Sequence, residues 1–342
     1  MHAITMGLDL AKHWFQVHGV DAAGKIVVKR RLRRAEVVAF FRDQEPCLVG
    51  MEACATAHHW ARELIALGHE VRLMPPAYVK AYVKRNKNDA ADAAAICEAV
   101  TRPSMRFVPV KSVDQQAVLM MHRARNLLVR QRTMAVNALR AHLAEFGVVA
   151  PQGLRHVECL VAAIEEDADL PALARSILRL IVAQLNDTQA KVRQIEARLS
   201  QWHRNSRLCR LLATIPGVGV MGASAIAATV SDPSLFRSGR EFAAWLGMTP
   251  RQNSSGGKER LGRTSKRGDK YIRSLLVAGA LAVLRHARER ATKDGEWVRA
   301  MLARKPAKLV AVALANRTAR IVWAVMTRGD GYRAKDIVGQ AA

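Results

Sequence analysis

An α/β domain followed by an all-α remainder is the fold class the sequence predicts, on three observations. Up to about residue 105, short β-branched and aromatic runs alternate with turns and helical patterns. From Val113 to about residue 205 turn signals thin out and apolar residues recur at helical spacing. Helical patterns then return to the end, interrupted by a Pro-Gly turn and a basic stretch rich in serine and glycine. A chain of 342 residues, half of them hydrophobic, is long enough for two or three domains with their own cores.

Ile4-Thr5-Met6-Gly7-Leu8-Asp9 reads as a short apolar strand ending in an acid, and Trp14 to Val20 as a second strand. Asp21-Ala22-Ala23-Gly24-Lys25 supplies a turn before Ile26-Val27-Val28, so the first three strands form an antiparallel meander. A helix through Ala35–Phe41 precedes Leu48-Val49-Gly50-Met51-Glu52, a buried strand that again ends in an acid. A helix through His59–Ile65, capped by Gly68, leads to the strand Glu70–Met74, stopped by Pro75-Pro76. Lys87-Asn88-Asp89-Ala90-Ala91-Asp92-Ala93 then opens an alanine-rich helix.

The order β-β-β-α-β-α-β plus a closing helix is the ribonuclease-H-like topology. There the first and fourth strands lie side by side, so Asp9 and Glu52 emerge near one another. The closing helix can bring Asp89 and Asp92, three residues apart on one face, to the same place. Four carboxylates so placed cannot all stay ionised without a cation between them, and hard oxygen ligands select Mg²⁺ or Mn²⁺. The plainer reading is that strand ends are often polar and that acids favour a helix N-terminus. His58 and His59 read as surface or packing histidines.

The charge is far from ordinary: 54 Lys and Arg against 29 Asp and Glu give a net +25. So basic a chain implies a polyanionic partner, nucleic acid before membrane. The runs Lys29-Arg30-Arg31 with Arg33-Arg34, and Lys80, Lys84, Arg85 and Lys87, flank the carboxylates and suit a nucleic-acid backbone or, more plainly, a solvated face. Five scattered cysteines without a CxxC pair favour reduced thiols in a cytoplasmic, nucleoid-associated protein. The apolar run around Leu275–Leu284 is too short to cross a bilayer.

In the central region, Met121, Ala124, Leu128, Ala135, Leu139 and Leu143 share one helical face, while His122, Arg123, Arg125, Arg130, Arg132, Arg140 and His142 make the others basic. Leu178, Ile181, Leu185, Thr188, Val192, Ile195 and Leu199 form a heptad seam. It implies a coiled-coil hairpin, a self-association helix or a plain bundle helix. Further on, Ile215-Pro216-Gly217-Val218-Gly219 sits between two helical patterns and offers backbone N–H groups of Gly217 and Gly219 to a phosphate. Ser238-Gly239-Arg240-Glu241 is a capping box. Residues 251–273 hold eight Lys or Arg against two acids, among them Arg251, Lys258, Arg263, Lys266 and Arg267. Ser254-Ser255 before Gly256-Gly257 reads as a mobile nucleic-acid-binding loop or, more sharply, as the seat of a serine nucleophile.

Taken jointly and in order, five stretches give the chain a specific resemblance over essentially its whole length. They are Gly7–Lys12, Met51–Cys54, Lys87–Ala93, Ile215–Gly219 and Thr249-Pro250-Arg251 through Ser255-Gly256-Gly257-Lys258. The chain resembles the DEDD-type transposases of bacterial insertion sequences, the insertion-sequence one-ten family of bridge-RNA-guided recombinases. The resemblance implies a Holliday-junction-resolvase-like domain (1–105), a coiled-coil arm (106–205) and a mainly helical C-terminal transposase domain with a helix-hairpin-helix-like motif and the catalytic serine loop (206–342). It implies that Asp9, Glu52, Asp89 and Asp92 are the Mg²⁺-binding tetrad, and that the nucleophile is Ser255, with Ser254 the adjacent alternative. It further implies a covalent phosphoserine on DNA, a noncoding guide RNA pairing with donor and target, and a homo-oligomer (dimer or tetramer) whose composite sites join the tetrad of one copy to the serine of another. Two other readings are a junction-resolving endonuclease using metal-activated water, and a non-enzymatic basic nucleic-acid-binding protein.

Overall fold

The computed structural model describes residues 2–83, 88–258, 260–287 and 293–333. The chain divides into two compact units, Met1–Val113 and Asp114–Ala342. In the first, β1 (Thr5–Leu10), β2 (Trp14–Val20) and β3 (Ile26–Arg33) form the expected meander. Gly24, at φ +77°, closes the second turn, and the Asp21 carboxylate accepts the N–H groups of Ala23 and Lys25 at 3.0 and 2.9 Å. Then follow α1 (Val37–Arg42), β4 (Leu48–Glu52), α2 (Ala57–Ala66), β5 (Glu70–Met74), α3 (Pro76–Val79) and α4 (Asp89–Val100). The sheet order is β3-β2-β1-β4-β5, with β1 and β4 parallel neighbours as the element order requires.

Period-two alternation assigns the two faces of the sheet. Met6, Leu8, Phe15, Val17, Val49 and Met51 are buried against α1 and α2. The opposite face carries Gly7 and Gly50, which are register partners across β1 and β4. A Cβ on Gly7 would lie 2.1 Å from the Ala93 carbonyl oxygen, and one on Gly50 would lie 2.7 Å from the Val100 Cβ. The helix α4 therefore rests on the bare backbone of the two central strands, with Ala93, Ile96, Cys97, Ala99 and Val100 buried beneath it.

In the second unit, α5 (Val113–Ala144), α6 (Val157–Glu166) and α7 (Ala172–Asn205) build the arm. Leu178 and Leu185 of the heptad seam pack with Val136, Leu139 and Leu143 of α5, and Leu199 with Val118. Arg125 bonds Glu196 and Arg132 bonds Gln189, each at 2.8 Å. Numbers rise along α5 as they fall along α7, so the seam closes an antiparallel hairpin inside one chain.

His122 departs from the expectation of a basic outer surface. It is buried, its Nδ1 3.1 Å from the Tyr271 hydroxyl and its Nε2 3.1 Å from Ser224 Oγ. Ser224 donates its own proton to the Val220 carbonyl at 2.7 Å. Nε2 must then be the protonated nitrogen and Nδ1 the acceptor from Tyr271. Burial, and secondarily Arg125, pushes the imidazole down to about 4. Two polar partners, invisible in a heptad count, are what draw a histidine inside.

The remaining helices are α8 (Arg207–Ala213), α9 (Val220–Thr229), α10 (Gly239–Trp245), α11 (Lys270–Ala287), α12 (Lys293–Leu302) and α13 (Ala307–Arg328). Ser238 caps α10 through the N–H of Glu241. Among the described residues α13 is the one helix long and apolar enough to span a membrane, and its apolar face is spent on this core, where Val310, Leu314, Ala315, Ala319 and Val322 are buried. Between α10 and α11 lies a correction. The stretch expected to be a mobile loop is an antiparallel hairpin of β6 (Pro250–Gln252) and β7 (Leu261–Thr264). Gly256 and Gly257, at φ +57° and +75°, form a tight turn in which the Lys258 N–H reaches the Ser255 carbonyl at 3.1 Å. Two left-handed residues in succession match the twist of paired strands, so the double glycine orders the stretch.

Candidate metal centre and serine hairpin

Asp9 sits near the C-terminal end of β1, on the face that Gly7 opens to α4. Asn88 caps α4, its side-chain oxygen accepting the Ala91 N–H at 2.8 Å, so Asp89 and Asp92 occupy the first turn. One carboxylate oxygen each from Asp9, Asp89 and Asp92 lies within 4.8 Å of the others. The positive end of the α4 dipole favours the two helical acids but does not reconcile three like charges. Burial first, then Asp92, Asp89 and Glu52, push the Asp9 carboxyl up to about 6. Among the described residues none of the three is ion-paired. Three clustered carboxylate oxygens of this kind fit a hard divalent cation.

Glu52 stands one step outside the cluster. Leu8 pairs with Met51, which sets Glu52 on the strand beside Asp9, close enough to repel it. It does not belong to the group whose oxygens meet within 4.8 Å. On the flank of α4, a cleft of about 340 Å³ is lined by His18, Lys29, Tyr82, Asn88, Ala91 and Glu98. Burial and Lys29 lower the pKa of His18. Lys84, Arg85 and Lys87 lie outside the described residues. In the basic run along β3 and just beyond it, Arg31 stacks on Trp14 at 4.5 Å and Arg34 on Trp60 at 5.0 Å.

In the second unit the two serines differ. The Ser254 hydroxyl accepts the Arg260 N–H at 3.1 Å across the hairpin. Ser255 is exposed at the first position of the glycine turn, and its hydroxyl has no partner among the described residues. Arg251, Lys258, Arg263, Lys266 and Arg267 are exposed on the hairpin and its exit, and among the described residues none is in an ion pair. The hairpin is anchored at both ends. Ser265 N–H bonds the Thr249 carbonyl at 2.8 Å, Lys266 N–H bonds that of Gly247 at 3.0 Å, and Asp269 caps α11 at Tyr271, the residue that reaches His122.

Gly217, at φ +84°, lies against α11, where a Cβ on Gly279 would come 1.8 Å from its carbonyl oxygen. Helix packing thus accounts for this glycine. Gly219 is exposed at the start of α9 with open space around it.

A profile described as Transposase IS116/IS110/IS902 family matches residues 209–294, which include the serine hairpin. A DEDD-type IS110 transposase profile matches residues 6–147, which include all four acids. The chain is 50% identical, over 97% of its length and 99% of the relative's, to the "Probable family 20 transposase" of Pseudomonas aeruginosa. It is 40% identical, over 96% and 98% of the two chains, to the transposase for insertion sequence element IS1328 of Yersinia enterocolitica. It is 38% identical, over 96% and 91%, to that for IS1111A of Coxiella burnetii.

Proposed function

Because the chain belongs to the IS116/IS110/IS902 transposase family and is an enzyme of that class, we propose that it cleaves and exchanges DNA strands through Ser255, with Asp9, Asp89, Asp92 and Glu52 holding Mg²⁺. Residues 1–105 form a ribonuclease-H-like, Holliday-junction-resolvase-like domain, a reading supported by β1 and β4 lying parallel and adjacent beneath α4. Residues 106–205 form the arm, and residues 206–342 carry the serine.

The observation that carries the reading is the meeting of Asp9, Asp89 and Asp92 within 4.8 Å with no protein cation paired to them among the described residues. Mn²⁺ satisfies the same ligands as Mg²⁺. A cation bound there supplies Lewis-acid stabilisation of the phosphoryl oxygens and of the departing oxygen. Glu52 joins from the neighbouring strand. Ser255 Oγ forms a bond to phosphorus as one phosphorus–deoxyribose oxygen bond breaks. The serine proton leaves and the departing oxygen takes one up. Attack by a hydroxyl of another strand reverses the exchange and frees the serine, so the number of ester bonds is conserved. Arg251, Lys258, Arg263, Lys266 and Arg267 hold the DNA backbone, and exposure without ion pairing supports that role. Sequence is read by a noncoding guide RNA that pairs with donor and target, and the tetrad of one copy acts with the serine of another.

The test is trapping of the protein–DNA adduct on a nicked donor substrate with guide RNA and Mg²⁺. The wild type and Ser254→Ala form the adduct, Ser255→Ala does not, and Asp92→Asn neither cleaves nor forms it. Normal DNA cleavage by Ser255→Ala overturns the nucleophile. Sequencing of co-purified RNA tests the guide: a single structured RNA encoded beside the gene is expected, and bulk cellular RNA alone would overturn it.

A further inference from the structure

The cleft on the flank of α4 lies beside the carboxylates but contributes none of them. Its volume of about 340 Å³ is at the low end for a small-molecule site, enough for one nucleotide and not for a stretch of duplex. All its lining residues belong to the first unit. One wall is helical: Ala90, Ala91, Ala94 and Ala95 of α4 present methyl groups only, a smooth apolar surface. Tyr82 lines the cleft with them, its ring partly buried on the cluster of Met74, Val79 and Ile96.

The sheet supplies the polar side. Gly7, His18 and Lys29 are register partners across β1, β2 and β3, so His18 and Lys29 share the face on which α4 rests. Asp9, Gln16 and Arg31 form the next row on that face, two residues or about 7 Å further along the strands. Asn88 joins the cleft to the carboxylates, since it lines the one and caps the helix whose first turn holds Asp89 and Asp92.

We propose that this cleft receives an unstacked base of the DNA strand, from the nucleotide adjoining the phosphodiester held at Asp9, Asp89 and Asp92, with that nucleotide's other phosphate on Lys29. The proposal rests on the metal-centre reading above and adds to it a subsite for the nucleotide beside the cut.

The chemistry of the lining selects that ligand. A wall of methyl groups and an aromatic ring match a planar base, whichever base it is, through its face. His18 supplies a polar contact. Burial, then Lys29, lower its pKa, so the imidazole is neutral near neutrality and offers one donor and one acceptor to a base edge. Lys29 is exposed, and among the described residues no acid pairs with it. Glu98, the acid in the lining, is bonded to Arg102 at 2.6 Å, which offsets its repulsion of a phosphate. An uncharged metabolite would leave Lys29 unanswered, and a base still stacked in a duplex has its faces covered by its neighbours. Drawing one nucleotide out of the stack bends the strand at the adjoining phosphate and opens it to a nucleophile in line with the departing oxygen.

Photocross-linking on the full chain tests this. The probe is a single-stranded oligothymidylate with one thymine replaced by 5-iodouracil, which on irradiation bonds to the aromatic ring it stacks on. It is read in Asp92→Asn protein, which carries one negative charge fewer beside the cleft and leaves the strand whole. The adduct should map to the peptide containing Tyr82 and fall about tenfold in Tyr82→Leu, as a stacking partner is lost. Ala94→Leu places a larger side chain in the cleft from a half-buried position, and should lower the adduct equally with an unchanged melting midpoint. Adducts confined to other peptides, or a Tyr82 adduct indifferent to Ala94→Leu, overturn the proposal. So does an adduct formed by the matching oligouridylate and not by the DNA. Cleavage of the strand by Asp92→Asn would instead refute the metal-centre reading, while the cross-link still reports on the cleft.

Discussion

Replacing Asp9 with Asn should stabilise the metal-free protein at neutral pH while abolishing its response to Mg²⁺. Burial, then Asp92, Asp89 and Glu52, lift the Asp9 carboxyl from 3.8 to about 6. The folded protein therefore holds this proton more tightly than the unfolded chain. The stability so contributed is present in full below 3.8 and is lost as pH rises through about 6, the reverse of a salt-bridged aspartate. At about pH 7.5 the folded state carries the charge at a cost. The displacement corresponds to at most about 3 kcal/mol, and because Asp9 is only partly buried, solvent screening reduces that to roughly 1–1.5 kcal/mol. Asparagine keeps the shape without the charge, so the melting midpoint in chelator should rise by about 2–5 °C. Mg²⁺ should raise the wild-type midpoint and leave the variant unmoved, since binding stabilises only a site that can bind. Scanning calorimetry of both proteins, with chelator and with Mg²⁺, at about pH 5 and about pH 7.5 decides it. An Asn variant that melts at or below the wild type in chelator at the higher pH, or a Mg²⁺ response equal in both, refutes the reasoning.

Gly7→Ala should cost about 1–3 kcal/mol and blunt the same Mg²⁺ response, because its Cβ must push α4 off the sheet; an unchanged midpoint and Mg²⁺ titration would count against that close approach. His122 has the opposite pH sense to Asp9. Its pKa is lowered from 6.5 to about 4, so the stability it contributes is present above 6.5 and is lost as pH falls through about 4. His122→Gln should flatten the stability profile across that interval, and an identical slope would argue for a solvated imidazole. Ser254→Ala should speed hydrogen exchange at the Arg260 amide by about fivefold, the worth of roughly 1 kcal/mol, while an unchanged rate would remove the distinction drawn between the two serines.

The strand order, the acid at each of two strand ends and the Asp89–Asp92 pair were legible in the sequence because each follows from local period and element order. The α7 seam was legible as a seam, but periodicity could not say whether its partner lay within the chain. Leu178, Leu185 and Leu199 find theirs on α5, where Leu139 and Leu143 are buried as the spacing predicts, while Val118 and Val136 replace Met121, Ala124, Leu128 and Ala135 as the other buried apolar positions. The hairpin at Pro250–Thr264 was missed for a different reason. Its strands of three and four residues are fully polar or exposed, and Gly256-Gly257 specifies a turn only once both residues are left-handed. His122 was assigned outward because a histidine's burial depends on Tyr271 and Ser224, 149 and 102 residues away.

A signal that sequence reading passed over is the repeated Gly-x-acid of Gly7-Leu8-Asp9 and Gly50-Met51-Glu52. In a strand, positions two apart share a face, so each glycine lies on the same side as the acid that follows it, while Leu8 and Met51 are buried on the other side. The glycines are register partners, and together they leave a patch of sheet without Cβ atoms on which α4 settles. That contact brings the first turn of α4, with Asp89 and Asp92, onto the end of β1. Burying Ala93, Ile96, Cys97, Ala99 and Val100 contributes several kcal/mol, against roughly 1–1.5 kcal/mol for holding Asp9 among like charges. Packing therefore outweighs repulsion and gathers the three carboxylates. Larger residues at Gly7 or Gly50 would leave every acid in place in the sequence and still dissolve the site.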